Sequence, residues 1–399
     1  MRRRWPTTCS PNTRSGRRPR TRSTSRCPTA PTSDRSMPSP SRRSPMRSIP
    51  VTDRRTGPHP VSGKAFGPLL IALCAGLLVA AVAAIGLGTV SVAPGDVLRV
   101  LAAHLGGGAP TDSLTDQIVW SFRAPRVLLA VVAGAGLSLA GLCLQNLVRN
   151  PLADPYMFGV TSGASLGAVL AMTTAALAAT GFGVTGSAFA GALVSLALVF
   201  TLAQRGGRLL GSDLLLAAIA VSYLGTAATS YLQLRAKPAE LRGVMFWLLG
   251  SLTGASWSSL LAPTLAVAAA LLVLPALARG MNALALGDDT AAGLGVNPNR
   301  LRIGLLVISA LLTASVVAAA GGIGFVGLIV PNAARLLVGP DHRRALPVSL
   351  LLGAIFLVLV DLATRTVDRP NEIPIGILTA ALGAPAFLVL LRRGRRSVP

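Results

Sequence analysis

RAPRVLLAVVAGAGLSLAGLCLQNLVRNPLADP, residues 123–155, places arginines at 123 and 126, then an uncharged segment of small and apolar residues, then RNPLADP. The middle segment, 127–148, is long enough as a helix to cross a hydrocarbon core of about 30 Å. Cations therefore stand at both ends of one membrane-spanning piece. Lipid favours positive charge mainly on the cytoplasmic side, so the arginine pair at the other end requires a separate explanation.

The rest of the chain repeats this character. Of 399 residues, 52% are hydrophobic and 13% charged, and the mean hydropathy is +0.62. Soluble domains are rarely so apolar. We expect an all-α polytopic membrane protein with about ten transmembrane helices, at 66–88, 127–148, 156–178, 184–203, 214–234, 257–277, 303–320, 325–338, 346–363 and 373–391. Gly163 and Gly167 make a small-xxx-small face of the kind that lets helix backbones approach closely. Gly321, Gly322 and Gly324 interrupt the seventh and eighth spans, which is tolerated at membrane depth only inside protein or along a cavity.

Residues 1–62 form a separate region, rich in Arg, Ser and Pro, expected to be disordered because it buries too little apolar area. Residues 1–60 hold fifteen arginines against Asp34 and Asp53, so the net charge of +23 owes thirteen units to this tail. The tail resembles a transit peptide. It reads equally well as a start codon placed too far upstream, with Met46 a candidate true start. A basic balance can signal nucleic acid, but no basic-aromatic recognition motif accompanies it and none is expected as a partner. Cys9, Cys27, Cys74 and Cys143 have no metal or disulfide spacing, and His59, His104 and His342 are scattered. No metal site is expected. No nucleophile–base set or carboxylate pair marks a catalytic centre.

Counting cations assigns sides. With the tail inside, an even number of spans puts both termini in the cytoplasm. Arg149, Arg205, Arg208, Arg279, Arg300, Arg302, Arg343 and Arg344 then fall inside. Arg123, Arg126, Arg235, Lys237, Arg242, Arg365 and Arg369 fall outside.

Several segments in order resemble the FecCD/BtuC-type permeases of ABC importers, which carry iron–siderophore complexes, haem or cobalamin. They are RAPR (123–126), Gln145, RNPLADP (149–155), Gly159 with Gly163 and Ala164, FWLLGSL (246–252) and ALGDDTAAGLGV (285–296). GGIGFVGLIVPNAAR (321–335), GPDHRRALP (339–347), DLATR (361–365) and EIPIGILTAALGAPAFLVLL (372–391) complete the set. The resemblance covers 66–393 and implies a type II ABC importer permease domain over 63–396. It also implies two cytoplasmic ABC ATPase subunits, an extracytoplasmic substrate-binding protein or lipoprotein, and a second permease subunit, identical or paralogous, with the pathway between the two. The chain has no GxxxxGK[ST] phosphate loop. ATP and Mg are therefore expected to be used by the partner ATPases, with no cofactor bound here, and the location is the cytoplasmic (inner) membrane.

By the same resemblance Arg123, Arg126 and Arg365 dock glutamates of the binding protein. Guanidinium forks suit that task, although headgroup anchoring or pairing within the chain, for instance Arg365 with Asp361, would also explain them. Asn150 and Leu152 match residues that narrow the cytoplasmic exit, with Gly211 and Ser212 a second narrowing; Pro151 and Pro155 would bracket a plain helix–helix turn equally well. Asp154 is placed to cap the next helix. Loop 285–296 reads as two short amphipathic helices, and in the family it fits a groove on the ATPase. Gly287, Ala291, Leu294 and Gly295 are the expected contacts. Relatives often carry Pro-His where this chain has Pro331-Asn332, and Asp213 stands where a cation is common. Ion-coupled transport would leave ionisable groups deep in the spans; Asp361 is the nearest candidate and lies close to a span end. The cavity walls are expected to be small and apolar, leaving substrate choice to the binding protein.

Overall fold

The computed structural model describes residues 65–88, 92–106, 113–157, 159–174, 183–205, 208–209, 211–368 and 371–395. The Arg-rich tail, 1–62, lies outside the described residues. The described chain is helical apart from one antiparallel pair of two-residue strands, Gln204–Arg205 and Arg208–Leu209. In chain order the helices are α1 Phe66–Gly86, α2 Pro94–Gly106, α3 Ser113–Asp116, α4 Ala124–Val148, α5 Val160–Thr173, α6 Gly183–Ala203 and α7 Gly211–Arg235. After them come α8 Pro238–Leu248, α9 Leu261–Ala285, α10 Asp288–Gly293, α11 Pro298–Ala320, α12 Val326–Val338, α13 His342–Thr366 and α14 Ile375–Arg395.

Each of the ten expected spans contains a helix. Seven are long and apolar enough to cross a membrane, and three apolar helices are shorter: Val160–Thr173, Val326–Val338 and Ile375–Val389. The 13 residues of α12 reach only about 20 Å. It follows the open segment around Gly321–Gly324, and both are buried among other helices, where loose backbone groups find partners. Phe325, in the left-handed region at φ 68°, turns the chain into α12, and its N–H is bonded to Asp154 Oδ2 at 3.1 Å.

Helix α4 is the axis of the bundle. It packs against α13, α11, α12 and α9, and nearly every residue from Ala124 to Leu147 that faces a neighbour is buried. Its glycines explain the closeness: a β-carbon at Gly134 would collide with the carbonyl of Gly353 on α13, and one at Gly141 with that of Gly327 on α12. The Gly163–Gly167 face of α5 packs on α6 in the same way, against Gly191 and Ser187. Bundle packing is therefore what this small-residue face does.

The uncharged run placed the start of this span at 127, but the helix runs back to Leu114 through a π-helical stretch, Gln117–Arg123. That stretch presents Trp120, which stacks on His104 at 4.1 Å and receives the Trp257 indole N–H on its carbonyl at 3.1 Å. His104 in turn meets Asp116 at 2.6 Å. Arg123 and Arg126 consequently lie on the body of a helix and not at its mouth. Short helices outside the ten spans, α2 and α8, were not legible from hydropathy because they are amphipathic or brief.

Candidate functional site

Two polar clusters occupy the two ends of α4. At the first end, Arg123 Nη1 donates to the carbonyls of Ile85 (2.7 Å) and Gly86 (3.0 Å), satisfying the last turn of α1. Arg126 Nε donates to Asp361 Oδ1 at 2.9 Å, and its Nη1 reaches both oxygens of Glu372 at 3.1 and 3.0 Å. Arg365 Nη2 lies 3.0 Å from Asp361 Oδ2, one helical turn away on α13. The arginines expected to dock a partner thus converge, but they are 8%, 9% and 5% exposed and held by carbonyls and carboxylates of this chain. Pairing within the chain, including Arg365 with Asp361, is present. Glu372 is the member that reaches water, its side chain 34% exposed, and Thr253 Oγ1 donates to it at 3.3 Å.

At the other end α4 stops at Arg149, whose φ of 54° lies in the left-handed region. Asn150 Oδ1 accepts from the Leu152 N–H at 2.9 Å, the Asx turn expected of that residue type. Asp154 does more than cap the following turn: Oδ1 accepts from Tyr156 N at 2.9 Å while Oδ2 holds α12. Asn332 Nδ2 donates to the Pro151 carbonyl at 2.9 Å and to that of Leu328 at 2.7 Å. Arg335 donates to Asn332 Oδ1 at 2.7 Å and to Gln145 Oε1. The Gln145 amide donates to the carbonyls of Gly327 (3.1 Å) and Ala153 (3.3 Å). The Asn332 side-chain amide thus ties α12 to the turn. Gly211 and Ser212 form the first two residues of α7, which packs against α4.

The loop 285–296 lies at the same end. Gly287 (φ 124°) and Gly295 (φ 79°) flank α10, a single six-residue helix where two were expected. The second half of the loop is the end of α10 and a turn at Leu294 and Gly295, after which Asn297 Oδ1 accepts from Arg300 N at 3.1 Å and Pro298 fixes the first turn of α11. Of the four expected contacts, Ala291 is turned inward and wholly buried, so it offers no surface in this conformation. Leu294 is 65% exposed, and Leu286, which the sequence did not single out, is 72% exposed. Asp288 opens α10 and accepts two bonds from Arg302, at 2.9 and 2.8 Å, and one from Arg149.

A groove of about 630 Å³ runs between α5 and α7. Its lining is mixed, with hydroxyl and amide side chains among Ile219, Leu248 and Leu249. Ser162 and Ser165 on α5 face Ser222, Thr226, Ser230 and Gln233 on α7, with the largely exposed rings of Tyr156 and Tyr223 beside them. The i, i+4, i+8 spacing of Ser222, Thr226 and Ser230 was readable as one helix face. No charged residue lines it. A second groove of about 450 Å³, along α5, α6 and α7, is apolar as expected, with Gly163, Leu166, Gly167 and Val194 in its wall. Among the described residues no group of three His, Cys, Asp or Glu is placed to hold a metal ion.

Residues 76–393 match the FecCD transport family. The cobalamin import system permease protein BtuC of Halobacterium salinarum is 44% identical over 291 residues, 73% of this chain and 77% of the relative. The hemin transport system permease protein HmuU of Yersinia pestis is 41% identical over 290 residues, 70% and 86% of the two chains. The iron(3+)-hydroxamate import system permease protein FhuG of Bacillus subtilis is 36% identical over 334 residues, 82% and 97%. Among solved structures, a metal-chelate type ABC transporter in an inward-facing conformation superposes with a TM-score of 0.71 at 34% identity, covering 82% of this chain and 99% of that one.

Proposed function

This chain belongs to the FecCD transport family, the permeases of ABC importers for iron–siderophore, citrate, haem or cobalamin, and from that premise we propose that it carries a ferric siderophore across the cytoplasmic membrane. The uncharged, hydroxyl-lined groove between α5 and α7 supports that substrate most directly. The iron(III) tris-hydroxamate core carries no net charge and presents a rim of hydrogen-bonding oxygens. Hydroxyls and phenols exchange bonds with it and let it go, and no fixed charge holds it. The 36% identity to the hydroxamate permease agrees with this reading. A second reading, cobalamin, is favoured by the 44% identity to the archaeal cobalamin permease, and cobalamin too is bulky and rich in amides.

ATP is hydrolysed, with Mg, by two ATPase subunits that meet α10 through Gly287, Leu294, Gly295 and the neighbouring Leu286. A second permease subunit, identical or paralogous, closes the grooves into a pathway. Asn150 and Leu152, with Gly211 and Ser212, narrow its cytoplasmic exit. An extracytoplasmic binding protein docks at the opposite end. Arg126 and Arg365 pair there with Asp361 and Glu372, and Arg123 donates to the Ile85 and Gly86 carbonyls; a partner's carboxylates would bind by competing for these guanidinium groups. Both termini lie in the cytoplasm. Uptake of labelled ferric hydroxamate, ferric citrate, haemin and cobalamin in cells with and without this gene tests the substrate. Loss of ferric hydroxamate uptake is expected; loss of cobalamin uptake alone establishes the second reading, and uptake that persists without ATP overturns both.

A further inference from the structure

The turn 150–154 is gripped from two directions by different chemistry. On one side Asn332 of α12 and Gln145 of α4 donate to its carbonyls at Pro151 and Ala153, and Arg335 ties those two amides together through their side-chain oxygens. Those two helices touch backbone to backbone at Gly141 and Gly327, so that side moves only if the core repacks. On the other side stands one carboxylate, Asp288, the first residue of α10.

Helix α10 is a small body between two glycine joints, Gly287 and Gly295, with Leu286 and Leu294 projecting into solvent next to them. Arg302, on α11, holds Asp288 from behind with two hydrogen bonds. Arg149 reaches the same carboxylate from the junction of α4 and the turn. Its left-handed backbone marks the point where the chain leaves the helix, so rotation there swings Asn150 and Leu152 together. The Arg149 and Asp288 side chains are 39% and 41% exposed. An ion pair in that setting opens and re-forms in water at little cost, which suits a cycle.

We propose that Arg149 and Asp288 form the latch through which movement of α10 reaches the exit turn, with Arg149 a positioning residue and the Asn332 side the fixed pivot. This rests on the reading that α10 meets an ATPase and that Asn150 and Leu152 narrow the exit. A bistable element biased from a distance needs such a physical link.

The test uses the complete transporter in liposomes, with Cys9, Cys27 and Cys74 replaced by Ser and Leu152→Cys, and a membrane-impermeant maleimide as the probe. Labelling of the introduced cysteine is timed with and without ATP and vanadate. Nucleotide trapping should change the rate by about tenfold. Arg149→Gln should abolish that change while vanadate-trapped nucleotide remains on the ATPase, and Arg149→Lys should restore most of it. A nucleotide response that survives Arg149→Gln overturns the latch. Absence of any response in the Leu152→Cys parent, with ATP still hydrolysed, overturns the reading of the exit turn and the latch with it.

Discussion

Asp361 is 1% exposed and faces two guanidinium groups, one from its own helix and one from α4. Replacing it with Asn leaves Arg126 and Arg365 buried with Glu372 as the remaining carboxylate. Breaking a buried ion pair from one side costs about 3 kcal/mol or more. Asp361→Asn should therefore lower the melting temperature of the detergent-solubilised protein clearly. Glu372→Gln, at a carboxylate partly in water, should do so much less. Equal melting of Asp361→Asn and the parent would show that the cluster does not fasten α4 to α13. Half of this cluster was legible in the sequence. Arg365 and Asp361 are four apart on one helix, a spacing that brings side chains together. Arg126 and Asp361 are 235 residues apart, and no local pattern joins them. Asn332 is similar: its departure from a common His was visible, while its bond to Pro151 across α12 was not.

At the level of elements, the loop 285–296 shows what periodicity conveys and what it omits. Read as two short amphipathic helices, it holds one, Asp288–Gly293. Its pattern did not reveal that Val296 turns into the core, that Ala291 follows it inward, or that Leu286 stays out. A six-residue helix is too short for its face to be read from pattern alone. The surface that remains is Leu286 and Leu294 with the two glycines. Gly295, at φ 79° with open space around it, tolerates a larger side chain sterically but not conformationally. Gly295→Leu should reduce substrate moved per ATP hydrolysed by about tenfold in reconstituted transporter. Undiminished uptake per ATP in that variant would remove this loop from the coupling path. The extension of α4 back to Leu114 was illegible for a different reason. The span was read as an uncharged run, and Arg123 and Arg126, which the helix carries on its body and buries, ended that run at 127.

For the whole molecule, cation counting and the observed contacts agree on one point. Arg123, Arg126 and Arg365, counted on one side, gather in one cluster, and Arg149 and Arg302, counted on the other, share Asp288. The orientation of those two ends is testable directly. Lys237 and Arg300 are both exposed and flank α9. With Cys9, Cys27 and Cys74 replaced by Ser, Lys237→Cys should react with an impermeant maleimide in intact cells, whereas Arg300→Cys should react only after the membrane is opened. The opposite result inverts the topology, and with it the sides assigned to docking and exit.

The sequence by itself determined that this is a helical membrane protein, how many apolar helices it has, where they lie, and which family it resembles. Hydrophobic length, small-residue spacing and motif order are local properties, written wherever the chain must meet lipid or another helix. Only the tertiary structure decided which polar groups meet. It joined Arg126 to Asp361, Asn332 to Pro151 and Arg149 to Asp288, and it set the hydroxyls of α5 against those of α7. Such pairs form because a buried or half-buried polar group must find a partner wherever packing puts one. Packing is set by backbone approach at a few glycines, and residues 123–155 contain Gly134 and Gly141 without recording that they meet Gly353 and Gly327.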